Sequence, residues 1–239
     1  MKNLKKLKIY NIYRKIISTI YPNICPFCGR IIYAADYWCK SCEEYLPYVK
    51  KPLFPPENIS RFYSCCYYTQ RARKAVHSLK FVGVIYAADA FAQMMSKMLS
   101  DELENADFLV PVPSGFRSIE KRGFAPAEII AKRISWQSKA PVVKAIKTKD
   151  NKLEQKALGR KKRIENAKNS FYINEKVDLR GKRIILIDDV CTTGSTLSVA
   201  AELLLDAGAK EVVAAVFAKT VNYTHAKLSQ RKFSVKKRG

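Results

Sequence analysis

Hydrophobic and polar positions follow two different periods along most of this chain. Continuous or alternating apolar runs predict strands, and apolar positions three or four residues apart predict helices. From residue 61 onward the two kinds of segment alternate, which predicts an α/β fold with a parallel sheet flanked by helices. The predicted strands are Phe62–Tyr68, Phe108–Val112, Val142–Ile146, Phe171–Ile173, Arg183–Asp189 and Glu211–Ala218. The predicted helices are 72–79, Tyr86–Glu104, Ala127–Trp136 and Thr196–Asp206. A loop beginning at Val112–Ser114 and continuing as a mobile basic loop is predicted between the strand Phe108–Val112 and the helix Ala127–Trp136.

The first 60 residues have a different pattern. Residues 1–22 predict a basic amphipathic helix that ends at Pro22, with an apolar face made of Ile9, Ile12, Tyr13, Ile16, Ile17 and Ile20. Three prolines in residues 51–60 are typical of a stiff linker. We therefore predict a helix at 1–22, a small cysteine-marked module at 23–50, a linker at 51–60, the α/β domain at 61–222 and a basic tail at 223–239.

Charge changes this picture because 44 Lys and Arg face only 21 Asp and Glu, a net charge of +23. Most of the excess lies in residues 2–15, residues 144–163 and the residues after Glu211. Such a balance favours polyanionic partners, either nucleic acid or an anionic membrane, with solubility as the plain alternative. The amphipathic helix can contact a membrane peripherally or dock onto its own domain, and docking is the expectation we favour. No run of 18 apolar residues is present, so the sequence predicts no membrane span. A cysteine spacing that suits a metal better than disulfides favours a reducing cytosol, so we expect a cytoplasmic protein.

Four of the seven cysteines form two Cys-x-x-Cys pairs, which are Cys25 with Cys28 and Cys39 with Cys42. Four thiolates at this spacing suit tetrahedral Zn²⁺, and a module this short needs a metal to fold. A redox role would require a strand–helix–strand context that is missing here. Nearby rings at Tyr33, Tyr37 and Trp38 are available for local packing or for base stacking. The other cysteines, Cys65, Cys66 and Cys191, are predicted to be small core residues.

The segment Ile184–Thr196, IILIDDVCTTGST, contains the most specific chemistry. Its apolar run places Asp188 and Asp189 at the carboxyl end of a buried strand, where α/β sheets bind ligands. The Thr192–Thr196 loop then leads into a helix whose N-terminus suits a phosphate. A phosphate cradle beside two hydrogen-bond-accepting carboxylates predicts a ribose 5-phosphate site. The alternative is a Ser/Thr-rich turn that only caps the helix.

IILIDDVCTTGST is similar to the signature of type I phosphoribosyltransferases, which bind phosphoribosyl pyrophosphate (PRPP) with Mg²⁺. The resemblance implies that the two acids hold the ribose hydroxyls and that the loop holds the 5-phosphate. Hypoxanthine-type enzymes have an Asp where this chain has Thr192, so the resemblance does not imply a 6-oxopurine acceptor. The implied PRPP-binding residues are Asp188, Asp189, Val190, Cys191, Thr192, Thr193, Gly194, Ser195 and Thr196.

Together with the four-cysteine module, the chain resembles the ComF family of bacterial competence proteins. The likeness includes Tyr68–Gly83, Val110–Phe124 and Gln155–Asn166. Family members often have Asn-Gln after Arg-Gly-Phe, where this chain has Ala125-Pro126. The resemblance implies a role in DNA uptake, with single-stranded DNA and the competence helicase or uptake machinery as partners.

Further residues are candidates for binding pyrophosphate. Val112, Pro113 and Ser114 follow a short strand and suit the pyrophosphate loop. On the predicted mobile loop, Arg117, Lys121 and Arg122 either neutralise leaving pyrophosphate or form a solvated basic surface. Lys80 is a weaker candidate, and His77 is predicted to be a surface residue. Three functions stay open: a PRPP-binding competence protein, a metabolic phosphoribosyltransferase for a small nitrogenous acceptor, and a non-catalytic PRPP sensor.

Overall fold

A computed structural model describes residues 2–20, 22–33, 36–49, 52–81, 85–148 and 170–220 of this chain. Most of the basic segment 144–163, the segment Gln155–Asn166 and the tail 223–239 lie outside these residues. The helices are α1 (Lys2–Ser18), α2 (Lys40–Tyr45), α3 (Gln70–Phe81), α4 (Ile85–Met98), α5 (Ser100–Asn105), α6 (Phe116–Arg122), α7 (Pro126–Gln137) and α8 (Ser195–Asp206). The strands are β1 (Arg61–Tyr67), β2 (Phe108–Pro111), β3 (Ile146–Thr148), β4 (Phe171–Ile173), β5 (Arg183–Cys191) and β6 (Glu211–Lys219).

Four strands form a parallel sheet in the order β1-β6-β5-β2. The central strands β5 and β6 are apolar through most of their length, because each is covered on both faces. β3 and β4 form a separate antiparallel pair. The fold class expected from the sequence, a parallel sheet flanked by helices, is therefore confirmed.

Two hydrophobic cores lie on the two faces of the sheet. On one face, α3, α4 and α7 pack together with residues 23–49, which we call the cysteine-containing segment. In this core Phe91 stacks on Phe217 with ring centroids 3.6 Å apart. Phe27 of the cysteine-containing segment also contacts Phe217, at 6.1 Å between centroids. The other face is covered by α8, and Leu204 lies in that core. The cysteine-containing segment thus forms part of the main core and is not a detached appendage.

Three expectations about local structure need correction. The predicted helix Tyr86–Glu104 is two helices, because the backbone leaves helical geometry at Leu99. The predicted strand Val142–Ile146 is displaced: Val142 makes only a bridge to Leu109, and the strand β3 begins at Ile146. The predicted mobile basic loop is the helix α6, which ends at Gly123 in the left-handed conformation that glycine tolerates, with φ 78°.

The N-terminal helix docks onto its own domain, but not through the predicted apolar face. Tyr10 donates a hydrogen bond to the buried carboxylate of Asp89 at 2.7 Å, and Arg133 pairs with the same carboxylate at 2.9 Å. Arg14 is buried beside them and donates to the carbonyl of Asp36 at 2.9 Å. A shared buried charge therefore selects the Tyr10 and Arg14 side of α1, and leaves most of the isoleucine stripe outside.

Candidate functional site

The two acids of the signature lie at the carboxyl end of β5, as the sequence predicts. Asp188 is in register with Val216 of β6, so the carboxylates emerge between neighbouring parallel strands. The backbone N–H of Asp189 donates to the Asp188 carboxylate at 2.8 Å. Burial, together with repulsion from Asp189, raises the pKa of Asp188 well above its usual value. Two carboxylates are thus held close together in a partly buried position, which suits a site that accepts hydrogen-bond donors or a cation from a ligand.

One of these carboxylates already has a cationic partner. Lys80, near the end of α3, places its Nζ atom 2.6 Å from Oδ2 of Asp189. Asp189 is buried, and this ammonium also opposes the rise in the pKa of Asp188. Lys80 was only a weak candidate from the sequence, since a lysine at a helix end is common. Its position shows that α3 contributes directly to the site formed by Asp188, Asp189 and the loop Thr192–Thr196, which we call the strand-end site.

The loop after β5 is shaped by Gly194, which has φ +86° and begins α8. A Cβ atom at this position would lie 2.9 Å from Cγ of Pro56, so both the backbone conformation and the available space favour glycine. The Thr193 hydroxyl lies 2.9 Å from the Ser195 hydroxyl and accepts a weak bond from the Ser195 N–H at 3.4 Å. The residue at the helix cap has no side chain, so a capping role alone does not explain this loop.

The residue after β6, Thr220, holds the start of this loop through two hydrogen bonds. The Thr220 N–H donates to the Cys191 carbonyl at 2.9 Å, and the Thr220 hydroxyl donates to the Thr192 carbonyl at 3.1 Å. Cys191 itself is buried, while Thr192, Thr193 and Thr196 are exposed. The loop therefore presents hydroxyls and the first-turn amides of α8 to solvent, beside the carboxylate pair. This arrangement suits an anion at one end and a diol at the other.

The other predicted pyrophosphate-binding residues follow β2, the neighbour of β5. Pro111 is in register with Ile187, and the Val112 N–H donates to the Ile187 carbonyl at 2.9 Å. This pairing brings Val112, Pro113 and Ser114 to the same sheet edge as Asp188. The three cations Arg117, Lys121 and Arg122 lie on α6, just beyond.

A second candidate site is formed by the four cysteines. Their Sγ atoms all lie within 4.8 Å of one another, and Cys28 and Cys39 are 3.7 Å apart. A tetrahedron with metal–sulfur bonds of about 2.3 Å has edges of about 3.8 Å, so the donor set fits a metal such as zinc. Cys25 and Cys42 are buried, whereas Cys28 is exposed. The cluster is consistent with the predicted zinc ribbon.

The local backbone explains how this cluster forms. The Gly29 N–H donates to the Cys25 carbonyl at 2.8 Å, which closes the first turn, and Gly29 has φ +81°. The second pair begins α2, where the Cys42 N–H donates to the Cys39 carbonyl at 2.9 Å. Each cysteine pair is therefore fixed by a tight turn.

Arginines surround the four thiols. Arg30 donates to the sulfur atoms of Cys28 and Cys39, at 3.5 Å and 3.6 Å, and Arg71 of α3 lies 4.0 Å from the sulfur of Cys42. Burial opposes ionisation of Cys28, but hydrogen bonds from Arg30, Cys25 and Cys42 together outweigh it and lower the pKa of Cys28 to about 6. Burial raises the pKa of Cys25 and of Cys42. These cations offset the negative charge that four thiolates bring to a metal.

A groove of about 380 Å³ separates the cysteine pair Cys25–Cys28 from α3. Pro26 and Phe27 form part of one wall, and Arg73, Lys74 and His77 of α3 lie on the other. The sequence did not indicate this groove, because its two walls are about 45 residues apart in the chain. Tyr33, by contrast, is an exposed ring, and Tyr37 packs beneath Arg14 with the guanidinium 4.4 Å from its centroid.

A parallel sheet with paired carboxylates and a glycine-shaped loop at one strand end defines a type I phosphoribosyltransferase fold. The family model described as "Phosphoribosyl transferase domain" matches residues 84–237. A solved purine phosphoribosyltransferase from Pyrococcus horikoshii is 25% identical, with a TM-score of 0.37, over 55% of this chain and 71% of that chain.

Relatives narrow the class further. "Competence protein ComFC" of Bacillus subtilis is 30% identical over 82% of this chain and 77% of its own length. "DNA utilization protein YhgH" of Salmonella typhimurium is 30% identical over 80% of this chain and 81% of its own length. The chain therefore belongs to the ComF family and contains a phosphoribosyltransferase domain. The names of these relatives refer to competence and to DNA utilization.

Proposed function

We propose that this chain binds PRPP with Mg²⁺ at the end of β5 and acts in DNA uptake, where it contacts single-stranded DNA. The observation that carries the first part is the pair Asp188 and Asp189 beside the Gly194 loop. The carboxylates would accept hydrogen bonds from the ribose hydroxyls. The loop would hold the 5-phosphate through its own side-chain hydroxyls and the N-terminal amides of α8. Val112–Ser114 would lie along the pyrophosphate, as the resemblance implies.

Mg²⁺ would arrive with the pyrophosphate, whose charge it offsets, and the carboxylates of Asp188 and Asp189 are the oxygen ligands available beside it. If transfer occurs, an acceptor displaces pyrophosphate at C1 of the ribose. The chain's own contribution is then to fix the sugar and to neutralise the departing charge with Arg117, Lys121 and Arg122. Substitution of all three by Gln should slow pyrophosphate release more than it weakens PRPP binding.

Calorimetric titration with PRPP in Mg²⁺ tests the binding proposal. Asp188→Asn should weaken binding by about 100-fold, since it removes a charge-assisted bond to a hydroxyl and part of the metal site. Asp206→Asn, at the exposed far end of α8, is the matched control and should leave affinity within about twofold. PRPP binding that is equal in wild type and Asp188→Asn, or no binding by wild type, would rule the proposal out.

Contact with single-stranded DNA is supported by the groove between the cysteine pair and α3. The exposed cations Arg73 and Lys74 line one side, and the apolar wall with Pro26 lies opposite. Single-stranded nucleic acid needs this combination, because cations bind its phosphates while its bases pack on apolar surface. The net charge of +23 adds a long-range attraction that is not specific to the groove.

Fluorescence titration with a labelled oligonucleotide at several salt concentrations tests this contact. Arg73→Gln with Lys74→Gln should reduce the salt dependence by about two phosphate contacts and weaken binding about tenfold. Lys97→Gln with Lys139→Gln removes the same charge from exposed positions elsewhere, and should have a smaller effect. Equal losses in the two double variants would show that only net charge matters.

The same proteins can decide between binding and turnover. A sensor would bind PRPP without releasing pyrophosphate, whereas a metabolic transferase would release it when a nucleobase or amine acceptor is added. Pyrophosphate release that requires an acceptor would favour the metabolic enzyme over a role in DNA uptake. Release stimulated by single-stranded DNA would instead join the two proposed contacts.

A further inference from the structure

The face of α1 that docks onto the domain is polar and aromatic. Tyr10 and Arg14 point inward, toward Asp89, and Tyr10 also packs on Trp136 with ring centroids 5.2 Å apart. Arg133 covers the Tyr10 ring at 3.9 Å. These contacts fix the rotation of the helix, so its remaining side has a defined direction.

That remaining side is an apolar stripe, which we call the outer stripe: Ile9, Ile12, Tyr13, Ile16 and Ile20. Each of these side chains is between 57% and 70% exposed. Residues spaced by three, four and seven share one side of a helix, so Ile9, Ile12, Tyr13 and Ile16 form a row about 10 Å long on α1. Ile20 follows in the turn after Ser18. A contiguous row of large exposed aliphatic side chains marks an interaction surface, whereas isolated ones do not.

We propose that the outer stripe rests on an anionic membrane surface, with α1 lying parallel to the bilayer. Charge selects this occupant. Residues 2–15 include Lys2, Lys5, Lys6 and Lys8 and contain no carboxylate. An anionic bilayer offers acyl chains to the isoleucines and acidic headgroups to the lysines, and an interfacial ring such as Tyr13 is common at that depth.

The two other occupants fit less well. A second copy of the chain would bring two acid-free basic helices together, which like-charge repulsion opposes. Nucleic acid satisfies the lysines but offers little to cover a row of aliphatic side chains. In the described part of the chain, moreover, no helix has the length and apolar character to cross a bilayer. The surface of the membrane, and not its interior, is therefore the proposed location of α1.

Co-sedimentation of the full, nucleic-acid-free chain with sucrose-loaded vesicles tests this proposal. Vesicles of phosphatidylcholine with about 30 mol% phosphatidylglycerol should bind wild type at least about tenfold more tightly than pure phosphatidylcholine vesicles. Ile12→Ser with Ile16→Ser should weaken binding to the anionic vesicles by at least about tenfold. Both positions are exposed, so the unfolding midpoint should not change, which separates lost binding from lost folding.

Ile31→Ser provides the matched control, because Ile31 is 71% exposed but lies in the cysteine-containing segment. This variant should bind vesicles like wild type. The proposal is overturned if the double variant binds as tightly as wild type, or if wild type does not sediment with anionic vesicles. It is also overturned if sedimentation velocity shows a wild-type dimer that the double variant abolishes while vesicle binding persists.

Discussion

The strand-end site and the cysteine cluster lie on one domain but are held in place by different forces. Asp188 and Asp189 project from a strand that has a parallel neighbour on each side, and the apolar run Ile184–Ile187 beneath them is buried. The four cysteines lie in a segment in which the described residues include a helix, α2, of only six residues. Backbone hydrogen bonds and apolar burial thus build the first site without a ligand, whereas the second, although Phe27 packs in the core, also depends on what the thiols bind.

The difference also appears in the charges. At the strand end, two like charges are held together and partly buried, which destabilises the empty site and favours a ligand that supplies hydrogen bonds or positive charge. At the cysteine cluster, the hydrogen bond from Arg30 favours the thiolate form of Cys28, which is the form that binds metal. The strand-end site is therefore suited to a ligand that binds reversibly, and the cysteine cluster to a metal that stays bound.

Metal loss should produce the largest effect and should separate the two regions. Cys42→Ser should reduce bound zinc from one per chain to a small fraction, because it removes one of the four thiolate ligands. Metal binding at a structural site of this kind contributes on the order of 10 kcal/mol to folding of its module. We expect proteases to cleave residues 23–49 rapidly, while PRPP affinity changes by less than about threefold. Metal analysis and limited proteolysis measure the two effects.

Cys65→Ala is the control for that prediction, since Cys65 is also buried but lies in β1 outside the cluster. It should keep its zinc and lose only about 1 kcal/mol of stability. If Cys42→Ser instead retains its metal, or if PRPP binding is lost together with the metal, the two regions are not held independently.

Gly194→Ala should have the next largest effect, confined to the strand-end site. The left-handed conformation costs about 1 kcal/mol for alanine, and the contact with Pro56 at 2.9 Å adds a steric cost. We expect a loss of about 2–3 kcal/mol in chemical denaturation and at least tenfold weaker PRPP binding. Gly123→Ala is the control, because Gly123 has φ +78° but an added Cβ would contact nothing within 4 Å. Equal losses in both variants would show that the Pro56 contact is unimportant.

The raised pKa of Asp188 predicts a pH dependence with a definite sign. Because the folded-state pKa lies above that of the unfolded chain, the contribution of Asp188 to stability is fully present below about pH 4 and is lost as the pH rises through the folded-state value. Asp188→Asn does not titrate, so it should be more stable than wild type at pH 8, by an amount on the order of 1 kcal/mol, with little gain at pH 4.

Thermal unfolding of the ligand-free proteins at several pH values measures this difference. Asp178→Asn serves as the contrast, because the Arg180 hydrogen bond lowers the pKa of Asp178. Its small effect should have the opposite sign, with wild type more stable than the variant above pH 4. An Asp188→Asn difference that does not grow with pH would mean that the carboxylate pair is not strained in the empty site.

The sequence predicted where Asp188, Asp189 and the Gly194 loop lie in the fold, because the determinants of that placement are local. A buried parallel strand is a continuous apolar run, and its end, its loop and the first turn of α8 follow in 13 residues. The four-cysteine cluster was predictable for the same reason, since ligand spacing is a local property. Roles of the individual residues in PRPP binding stay predictions.

Features that join distant segments were not predictable. Lys80 meets Asp189 across 109 positions in the sequence, and the groove beside α3 has walls from separate segments. The predicted orientation of α1 was wrong for a related reason. Periodicity places the isoleucines inward, but it cannot show that Asp89, 79 residues away from Tyr10, is buried and needs partners. Leaving the buried charge of Asp89 unpaired would cost several kcal/mol, so its contacts with Tyr10 and Arg14 set the orientation of α1.

A modest change in stability can test how the N-terminal helix is joined to the domain that holds both sites. Tyr10→Phe removes one hydrogen bond to Asp89 but leaves the ring on Trp136 and the Arg133 ion pair in place. The expected loss is about 1 kcal/mol in urea denaturation, with an upper range of about 2 because the acceptor is charged. Tyr13→Phe removes the same atom from the exposed side of the same helix, and should change stability by less than about 0.5 kcal/mol. Equal effects would show that α1 is not anchored through Asp89, and the direction of the outer stripe would then lose its structural basis.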